Sequence, residues 1–559
     1  MIDAHGSAEE NSAACRPLNA PMPIPHLPSA LATADAAPFR DLSAAGSGLR
    51  RWTGFAAMCL GMFMAILDVQ IVATALPDLQ AALVLRQDQV SWIQTVYLIA
   101  EIIAIPLTGW LTRLLSTRGL FAAGVLGFTA GSLLCAASGG FAMLVVSRAI
   151  QGFFGGVLIP VVFSAGFLMF PGPAQPRATM LAGVAAMLAP TLGPVLGGWV
   201  TETWSWHWIF LINVPPGIVA AALVLRCVAI DRPDPAARRG VDLGGLVLLA
   251  LSLAALEILL KEAPARGWSS PGMIGLAALC VAAAVAAVRL DLARPAPVVT
   301  YRTFAASSSF AAGCAFSFAL GIGLYGSIYL MSLFLGLVRM HSAIEIGAVI
   351  AVTGVAQLVA APVATVLEKR IDPRPLVFVG YAAFAIGAGL SAAATPATDF
   401  AGMFWPQVLR GASIMFCLLP TTTAALGALR SAEVPGGSGL FNMMRNLGGA
   451  IGLALIDTVL ERRTPGHVEA LATRLQAGDA SAASFVGLST DRFTGVPLGD
   501  IDQATRDFVA PLVERAALAQ SMNEAWLMLA LLLLLPLIVL PLLRSPPPPS
   551  VSGPESTRS

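Results

Sequence analysis

Charged residues are scarce in this chain of 559 residues. They make up 12% of it, whereas apolar residues make up 57% and the mean hydropathy is +0.78. Ordinary soluble domains contain about a quarter charged residues. The net charge is only +1, so the composition provides no general electrostatic attraction to nucleic acid. The high apolar fraction and the low charged fraction exclude an ordinary soluble enzyme and predict a polytopic membrane protein.

Clusters of cysteine and histidine are also missing. The seven cysteines contain no CxxC pair, most of them lie within apolar runs, and the five histidines form no HExxH pattern. These absences argue against a disulfide framework and against a zinc site. No grouping of a nucleophile with a base stands out either, which argues against an enzyme acting on lipid or glycan. We therefore expect no enzymatic activity, no metal and no cofactor.

Long apolar runs are abundant. About fourteen segments between residues 52 and 543 are long enough to cross about 30 Å of hydrocarbon. Such segments must be helical, because backbone polar groups in lipid need partners within the chain. With the N-terminus inside, the short inner loops hold far more Arg and Lys than the short outer loops. This asymmetry predicts an even number of crossings with both termini in the cytoplasm.

An internal repeat suggests how the segments are organised. Residues 106–118 (PLTGWLTRLLSTR) align without gaps with residues 362–374 (PVATVLEKRIDPR). The two stretches are eight predicted spans apart, which indicates two six-helix halves with two extra helices between them. The predicted parts are a disordered cytoplasmic tail (1–48), a first half (49–230), the extra helices (231–300), a second half (301–544) with a long periplasmic segment (461–522), and a second disordered tail (545–559).

Ionisable side chains inside apolar runs are the main functional candidates, because burying them in a bilayer is costly. Asp68 and Glu101 are candidates for taking up and releasing a proton. Arg148 follows 29 residues without charge; it stays protonated, so it can pair with a carboxylate and be released when that acid is neutralised. Arg410 is the corresponding candidate in the second half.

Two further patterns point to moving parts and to a cavity. The order G-P-x-x-G-G at 193–198 places three glycines and a proline in one span. Such a span packs closely and can bend, which suits a helix that rocks against its neighbour. Polar and aromatic residues of other spans are candidates for lining a substrate cavity: Gln70, Trp92, Gln94, Tyr97, Tyr325, Tyr329, Gln357 and Arg410.

Several stretches resemble the major facilitator superfamily, and within it the EmrB/QacA-type drug:proton antiporters with fourteen spanning helices. They are LDVQIVATALP (67–77), PLTGWLTRLLSTRG (106–119), RAIQG (148–152), APTLGPVLGG (189–198) and SWHWIFLINVPPG (205–217). The resemblance implies the major facilitator fold. It also implies a loop motif at Gly109, Arg113 and Arg118, proton-coupling residues at Asp68 and Arg148, and an antiporter motif at Gly193, Pro194, Gly197 and Gly198. The family often has Asp where Arg113 stands.

The resemblance also implies a function and partners. The expected function is proton-coupled efflux of lipophilic drugs or toxic compounds across the bacterial inner membrane. The expected partners are membrane lipid, lipophilic small molecules, protons, an EmrA-like periplasmic adaptor and an outer-membrane channel. The segment 461–522 is one candidate contact for the adaptor, and a surface cap is the alternative. A proton-coupled uptake symporter of the same fold is the alternative function, and the G-P-x-x-G-G order argues against it.

Overall fold

The computed structural model describes residues 48–235, 243–293, 299, 301–498 and 502–543. Within these ranges the chain is helical and contains no β-strand. Nearly all of the two predicted tails and parts of the segment 231–300 lie outside the described residues. The all-α fold class expected from the apolar runs is therefore confirmed.

The first half of the chain forms seven helices. They are α1 (Gly48–Thr74), the short α2 (Leu76–Ala82), α3 (Gln87–Ala136), α4 (Phe141–Met169), α5 (Gln175–Thr203), the short α6 (His207–Leu211) and α7 (Val214–Cys227). Helix α5 bends by 48° at a break between Pro190 and Val195. The bend lies within the glycine- and proline-rich run, as expected for backbone that lacks Cβ atoms and one amide donor.

Helix α3 crosses the bundle twice. Its 50 residues would extend about 75 Å if straight, far more than one crossing needs. Ser116 interrupts it with non-helical angles (φ 66°, ψ 159°). On either side of this break, Tyr97 packs against Gly152 of α4 and Gly131 packs against the adjacent Gln151. Residues far apart along α3 thus meet α4 at the same level, so the chain reverses at Ser116.

Two extra helices and the second half follow. The extra helices are α8 (Leu243–Arg266) and α9 (Pro271–Ala293), which pack together as a hairpin. The second half contains the short α10 (Arg302–Ala306), α11 (Ser308–Leu333), α12 (Ala343–Glu368), α13 (Pro373–Ser391), α14 (Phe400–Leu426), α15 (Val434–Gln476), the short α16 (Ala480–Val486) and α17 (Gln503–Leu534). A π-helical turn, Phe334–Val338, extends α11, and a 3₁₀ segment, Leu535–Leu542, extends α17.

The number of crossings agrees with the sequence. In the described ranges twelve helices are long and apolar enough to span a membrane, and the bent α5 makes thirteen. Helix α3 is one of the twelve but reverses at Ser116, which brings the crossings to the expected fourteen. Both members of the predicted repeat lie where one helical segment ends and the next begins, at Ser116 and between α12 and α13.

The second half contacts the first half at one end of the bundle and the α8–α9 hairpin at the other. At one end, a Cβ on Gly109 would lie 2.6 Å from the Cα of Gly436, so the backbones of α3 and α15 are in contact. We call this the Gly109 end. At the other end, the Trp268 indole donates a hydrogen bond to Thr458 Oγ1 at 2.9 Å, which joins the α8–α9 hairpin to α15. We call this the Trp268 end.

The segment 461–522 is largely helical. It comprises the last turns of α15, then α16, and the first turns of α17. These helices enclose a separate apolar core that includes Leu471, Leu475, Val486 and Val513. The segment lies beyond the Trp268 end, and we call it the helical cap.

Candidate functional site

A buried ion pair joins α1 to α4. Arg148 Nη1 lies 2.6 Å from Asp68 Oδ2, and neither side chain has exposed surface. The Arg148 guanidinium also lies over the ring of Tyr97, 4.2 Å from its centroid. The face of an aromatic ring carries negative partial charge, so this contact adds to the stabilisation of the cation. The carboxylate partner that the sequence suggested for Arg148 is therefore Asp68.

Neutral polar side chains complete the hydrogen bonding of Asp68. Gln151 Nε2 and Asn213 Nδ2 donate to Asp68 Oδ1 at 2.9 and 2.8 Å. Ser132 Oγ accepts from the same two nitrogens at 2.8 and 3.3 Å. Together with Arg148 these residues form what we call the Asp68 network. Because three side chains donate to the carboxyl oxygens, the arrangement fits an ionised Asp68.

A cavity of about 240 Å³ lies beside the Asp68 network. Its walls come from α1, α3 and α4 of the first half, from α8, and from α11 and α15 of the second half. Ile66, Val69 and Gln70 line this central cavity, whereas Asp68 is fully buried and is not among its lining residues. In this conformation a proton can therefore reach Asp68 only if the helices move.

The central cavity is mainly apolar but carries charged side chains. The charged lining residues are Glu101 on α3, Glu257 and Lys261 on α8, and Asp457 on α15. Asp457 accepts a hydrogen bond from the Tyr329 hydroxyl at 2.8 Å. Lys261 Nζ lies 4.3 Å from the centroid of the Trp92 ring. Three acidic groups face one basic group, so the ionised walls carry an excess of negative charge.

Some of the predicted cavity residues do line the cavity. Gln70 and Tyr325 are lining residues, and the Tyr325 hydroxyl donates to Oδ1 of Asn446, another lining residue, at 3.4 Å. Tyr329 reaches the wall through its hydrogen bond to Asp457. Substrate contact by these side chains stays a prediction, and their positions are compatible with it.

Four other predicted cavity residues lie elsewhere. Tyr97 is buried, and its hydroxyl donates to a backbone carbonyl of α1 at 3.2 Å. Gln94 is half-buried and Gln357 is buried, and neither lines the central cavity. Arg410 is buried in the second half, where its guanidinium lies 4.4 Å from the centroid of the Trp526 ring. In this conformation none of the four faces the cavity.

Comparison with known proteins places this arrangement in a family. Residues 58–453 match the Major Facilitator Superfamily. The chain belongs to the Major Facilitator Superfamily. It is 40% identical to the colistin resistance protein EmrB of Acinetobacter baumannii, over 75% of this chain and 81% of that protein. It is 29% identical to the multidrug export protein EmrB of Escherichia coli strain K12, over 85% of this chain and 91% of that one.

A solved structure supports the fold of this superfamily member. The human organic anion transporter MFSD10 (TETRAN) aligns with a TM-score of 0.55 and 14% identity, covering 88% of this chain and 99% of that one. Identity this low shows the fold alone. The family expected from the motifs, and its fold, are thus confirmed.

The glycines of the antiporter motif allow α5 of this superfamily member to pack closely on α1. A Cβ on Gly193 would collide with the Gln70 side chain. A Cβ on Gly197 would collide with the Thr74 hydroxyl, and Gly198 is buried. The 48° bend of α5 occurs at the break that contains Pro194. Any larger residue at Gly193 or Gly197 would push α1 and α5 apart.

The loop motif lies where α3 reverses. Gly109 makes the backbone contact with Gly436, whereas Arg113 and Arg118 are exposed. Thr117 lies just after the reversal. Asp231 accepts hydrogen bonds from the Thr117 amide at 2.8 and 3.0 Å and from the Thr117 hydroxyl at 3.0 Å. Burial raises the pKa of the Asp231 carboxyl, although these hydrogen bonds oppose the shift. Asp231 thus caps the second segment of α3.

Sequence reasoning missed several residues of the site. Glu257 and Asp457 are ionisable side chains inside long apolar segments, so the argument that singled out Asp68 applies equally to them. Gln151 and Asn213 lie in quoted motifs but were not identified as partners of Asp68. In the described residues no group of three or more His, Cys, Asp or Glu side chains could hold a metal ion.

Proposed function

We propose that this superfamily member exports lipophilic compounds across the bacterial inner membrane in exchange for protons. The observation that carries this proposal is the central cavity, which lies between the two halves and beside the buried Asp68–Arg148 ion pair. The names of the relatives, a colistin resistance protein and a multidrug export protein, support export over uptake.

The walls of the cavity suit lipophilic compounds of varied shape. Leu98, Ile102, Ile159, Leu260 and Leu453 are among the apolar residues that line the cavity. Burial of apolar surface is favourable without any directional requirement, at about 25 cal/mol per Å². A site of this kind accepts compounds by size and lipophilicity, so it favours several substrates over a single one.

Contacts on both sides of the cavity support alternating access. Along α3 and α15 the cavity begins at Ile102 and Asn446, about two to three helical turns from the contact between Gly109 and Gly436. Towards the other end it is bounded by the residues that precede the Trp268–Thr458 hydrogen bond. Opening one contact layer at a time exposes the cavity to one side of the membrane at a time. We assign the Gly109 end to the cytoplasm and the helical cap to the periplasm.

Proton coupling is assigned to Glu101 and the Asp68 network. Glu101 lines the cavity and exchanges protons with the water that enters it. Protonation of Asp68, once helix movement exposes it, removes the negative charge that holds Arg148 and so weakens the contact between α1 and α4. Breaking and re-forming this contact links proton movement to the opening of the two ends. Gly193 and Gly197 give α5 the close packing on α1 that such a movement requires, and Pro194 and Gly198 belong to the same run.

The helical cap is the proposed docking region for a periplasmic adaptor protein, which connects the permease to an outer-membrane channel. The cap supports this role because it has its own apolar core and projects beyond the membrane-spanning helices. Deleting the cap should abolish co-purification with an adaptor encoded nearby.

Transport by everted inner-membrane vesicles tests the proposal. Vesicles energised by respiration should accumulate the uncharged dye Nile red and the cationic dye ethidium, and a protonophore, which collapses both the pH difference and the membrane potential, should stop this. An uptake symporter of the same fold would instead expel dye that had been loaded into the vesicles. Absence of any dye movement beyond that of vesicles without the protein would contradict the proposal.

A further inference from the structure

The α8–α9 hairpin, which is additional to the two six-helix halves, forms part of the cavity wall. Helix α8 packs against α3 of the first half and α15 of the second. It contributes Glu257, Leu260 and Lys261 to the central cavity. The hydrogen bond from Trp268 to Thr458 fixes the end of the hairpin nearest these residues. The hairpin therefore closes the space between α3 and α15 and supplies side chains to the interior.

Two carboxyl groups face the cavity from different elements. Glu101 on α3 is 8% exposed and lines the wall that belongs to the first half. Glu257 on α8 lines the wall that belongs to the hairpin. Across the part of the chain that the structure describes, Glu257 makes no ion pair, unlike Glu262 on the same helix, which lies 2.9 Å from Arg266. Asn446, from the second half, lines the cavity beside them.

The basic residue of the cavity does not neutralise this pair. The ammonium group of Lys261 lies over the Trp92 ring and 3.8 Å from Glu262. It is thus held by two other groups on the same side of the cavity. Two carboxylates in a mainly apolar cavity repel one another, and each loses hydration that the walls do not replace. A positive charge between the two carboxylates offsets both their mutual repulsion and their lost hydration.

We infer that Glu101 and Glu257 together bind the charged group of a lipophilic organic cation. The α8–α9 hairpin thereby supplies one half of a substrate site. The inference rests on the proposed function, since it specifies a substrate class for the same cavity. The apolar part of the ligand contacts Leu98, Ile102 and Leu260, which line the same region. The hairpin is then a component of the transport pathway and not only a spacer between the halves.

Binding of tetraphenylphosphonium to the purified full-length protein in detergent tests this inference. Glu257→Gln should weaken binding about tenfold or more, which corresponds to loss of one charge contact. Glu101→Gln should weaken it by a similar factor. Glu469→Gln is the control, because it removes an exposed carboxylate of the helical cap that does not line the cavity, and it should bind as the wild type does. Binding of uncharged Nile red should change much less than binding of tetraphenylphosphonium in Glu101→Gln and Glu257→Gln, because Nile red has no positive charge to pair with either carboxylate.

Further variants keep the test decisive. Glu257→Asp retains the charge and should retain most of the affinity, which separates a charge effect from a folding effect; thermal unfolding of each variant checks the fold. Equal tetraphenylphosphonium affinity in wild type and Glu257→Gln would overturn the inference. So would a wild type that exports Nile red but does not bind tetraphenylphosphonium, and that result would leave the proposed function standing. A wild type that moves neither Nile red nor ethidium would overturn the proposed function itself.

Discussion

Asp68 and Arg148 face one another across 2.6 Å with no exposed surface on either side chain, although Ile66 and Val69, two residues before and one residue after Asp68 on α1, line the central cavity. Helix α1 thus presents one face to the cavity and turns its only buried carboxylate into the first half. The pair can open only if α1 and α4 move relative to one another. This geometry makes the ion pair suitable for holding one conformation of the transporter until a proton arrives.

The Asp68–Arg148 pair should behave as a coupled unit in stability measurements. Asp68→Asn leaves the Arg148 charge buried without a counter-charge, which costs about 3–5 kcal/mol. The double variant Asp68→Asn/Arg148→Gln removes both charges and should recover much of the lost stability. Thermal unfolding in detergent of the two single variants and the double variant measures this. Asp78→Asn, on the exposed surface of α2, is the control and should unfold as the wild type does. Additive losses in the double variant would show that the two charges do not interact.

Gly109 should control the closure of one end of the bundle. Its Cβ position lies 2.6 Å from the Cα of Gly436, so Gly109→Ala forces α3 and α15 apart. We expect faster amide hydrogen exchange around residues 105–109 and 435–439 and slower export of Nile red. Gly139→Ala is the matched control, because a Cβ there has no neighbour within 4 Å. Unchanged exchange in Gly109→Ala would contradict a tight contact at this end.

The packing of α5 on α1 should depend on the absence of a side chain at residue 193. A Cβ on Gly193 would collide with the Gln70 side chain, so Gly193→Ala should slow export at an unchanged protein level. Gln70→Gly, added to this variant, removes the colliding atoms and should restore part of the rate. Gly275→Ala, where a Cβ meets nothing within 4 Å, should have no effect. Full export activity in Gly193→Ala would show that close packing of the two helices is not required.

The stability of α16 in the helical cap should be constant over the ordinary range of pH. Hydrogen bonds from the Ser481 hydroxyl and the Arg474 guanidinium hold the pKa of Asp479 well below its usual range. Asp479 also caps α16 by accepting from the amides of Ser481 and Ala482 at 2.8 and 3.2 Å. Because its pKa is lowered, ionised Asp479 stabilises the folded state at pH values above the usual aspartate pKa of about 3.9. This stabilisation is lost as the pH falls through the folded-state pKa.

Hydrogen exchange of residues 480–486 checks this expectation. Protection, corrected for the intrinsic pH dependence of exchange, should be equal at pH 8 and pH 5. Asp479→Ala should reduce it at both values, because the cap is lost at both. A loss of protection already between pH 8 and pH 5 in the wild type would contradict the assigned role of Asp479.

Much of the architecture could be predicted from the sequence. The length of apolar runs sets the number of crossings, because a helix needs about 20 residues to span the hydrocarbon. The reversal at Ser116 lies between two of the predicted spans, even though the helix is nearly continuous there. The long segment after residue 461 offered no apolar run of spanning length, so its helical cap and separate core were not predicted.

The direction in which each side chain points could not be predicted in the same way. Tyr97 and Glu101 lie four residues apart on α3, yet Tyr97 packs under Arg148 and Glu101 lines the cavity. Glu257 gains its role only because α8 packs between α3 and α15. A single sequence does not record the rotation of a helix about its axis or the neighbour that it meets. Of the predicted cavity residues, Gln70 and Tyr325 line the cavity in this structure, whereas Gln357 does not.

Counting protons in proteoliposomes tests the central claim most directly, which is that export is coupled to protons through Asp68. The purified protein is reconstituted with pyranine inside, and an outwardly directed gradient of Nile red is imposed. The wild type should move protons into the lumen as dye leaves, in a fixed ratio to the dye. Asp68→Asn, checked for intact folding by its own thermal unfolding in the same detergent, should bind dye but move no protons. The same ratio of protons to dye in Asp68→Asn as in the wild type would contradict the account.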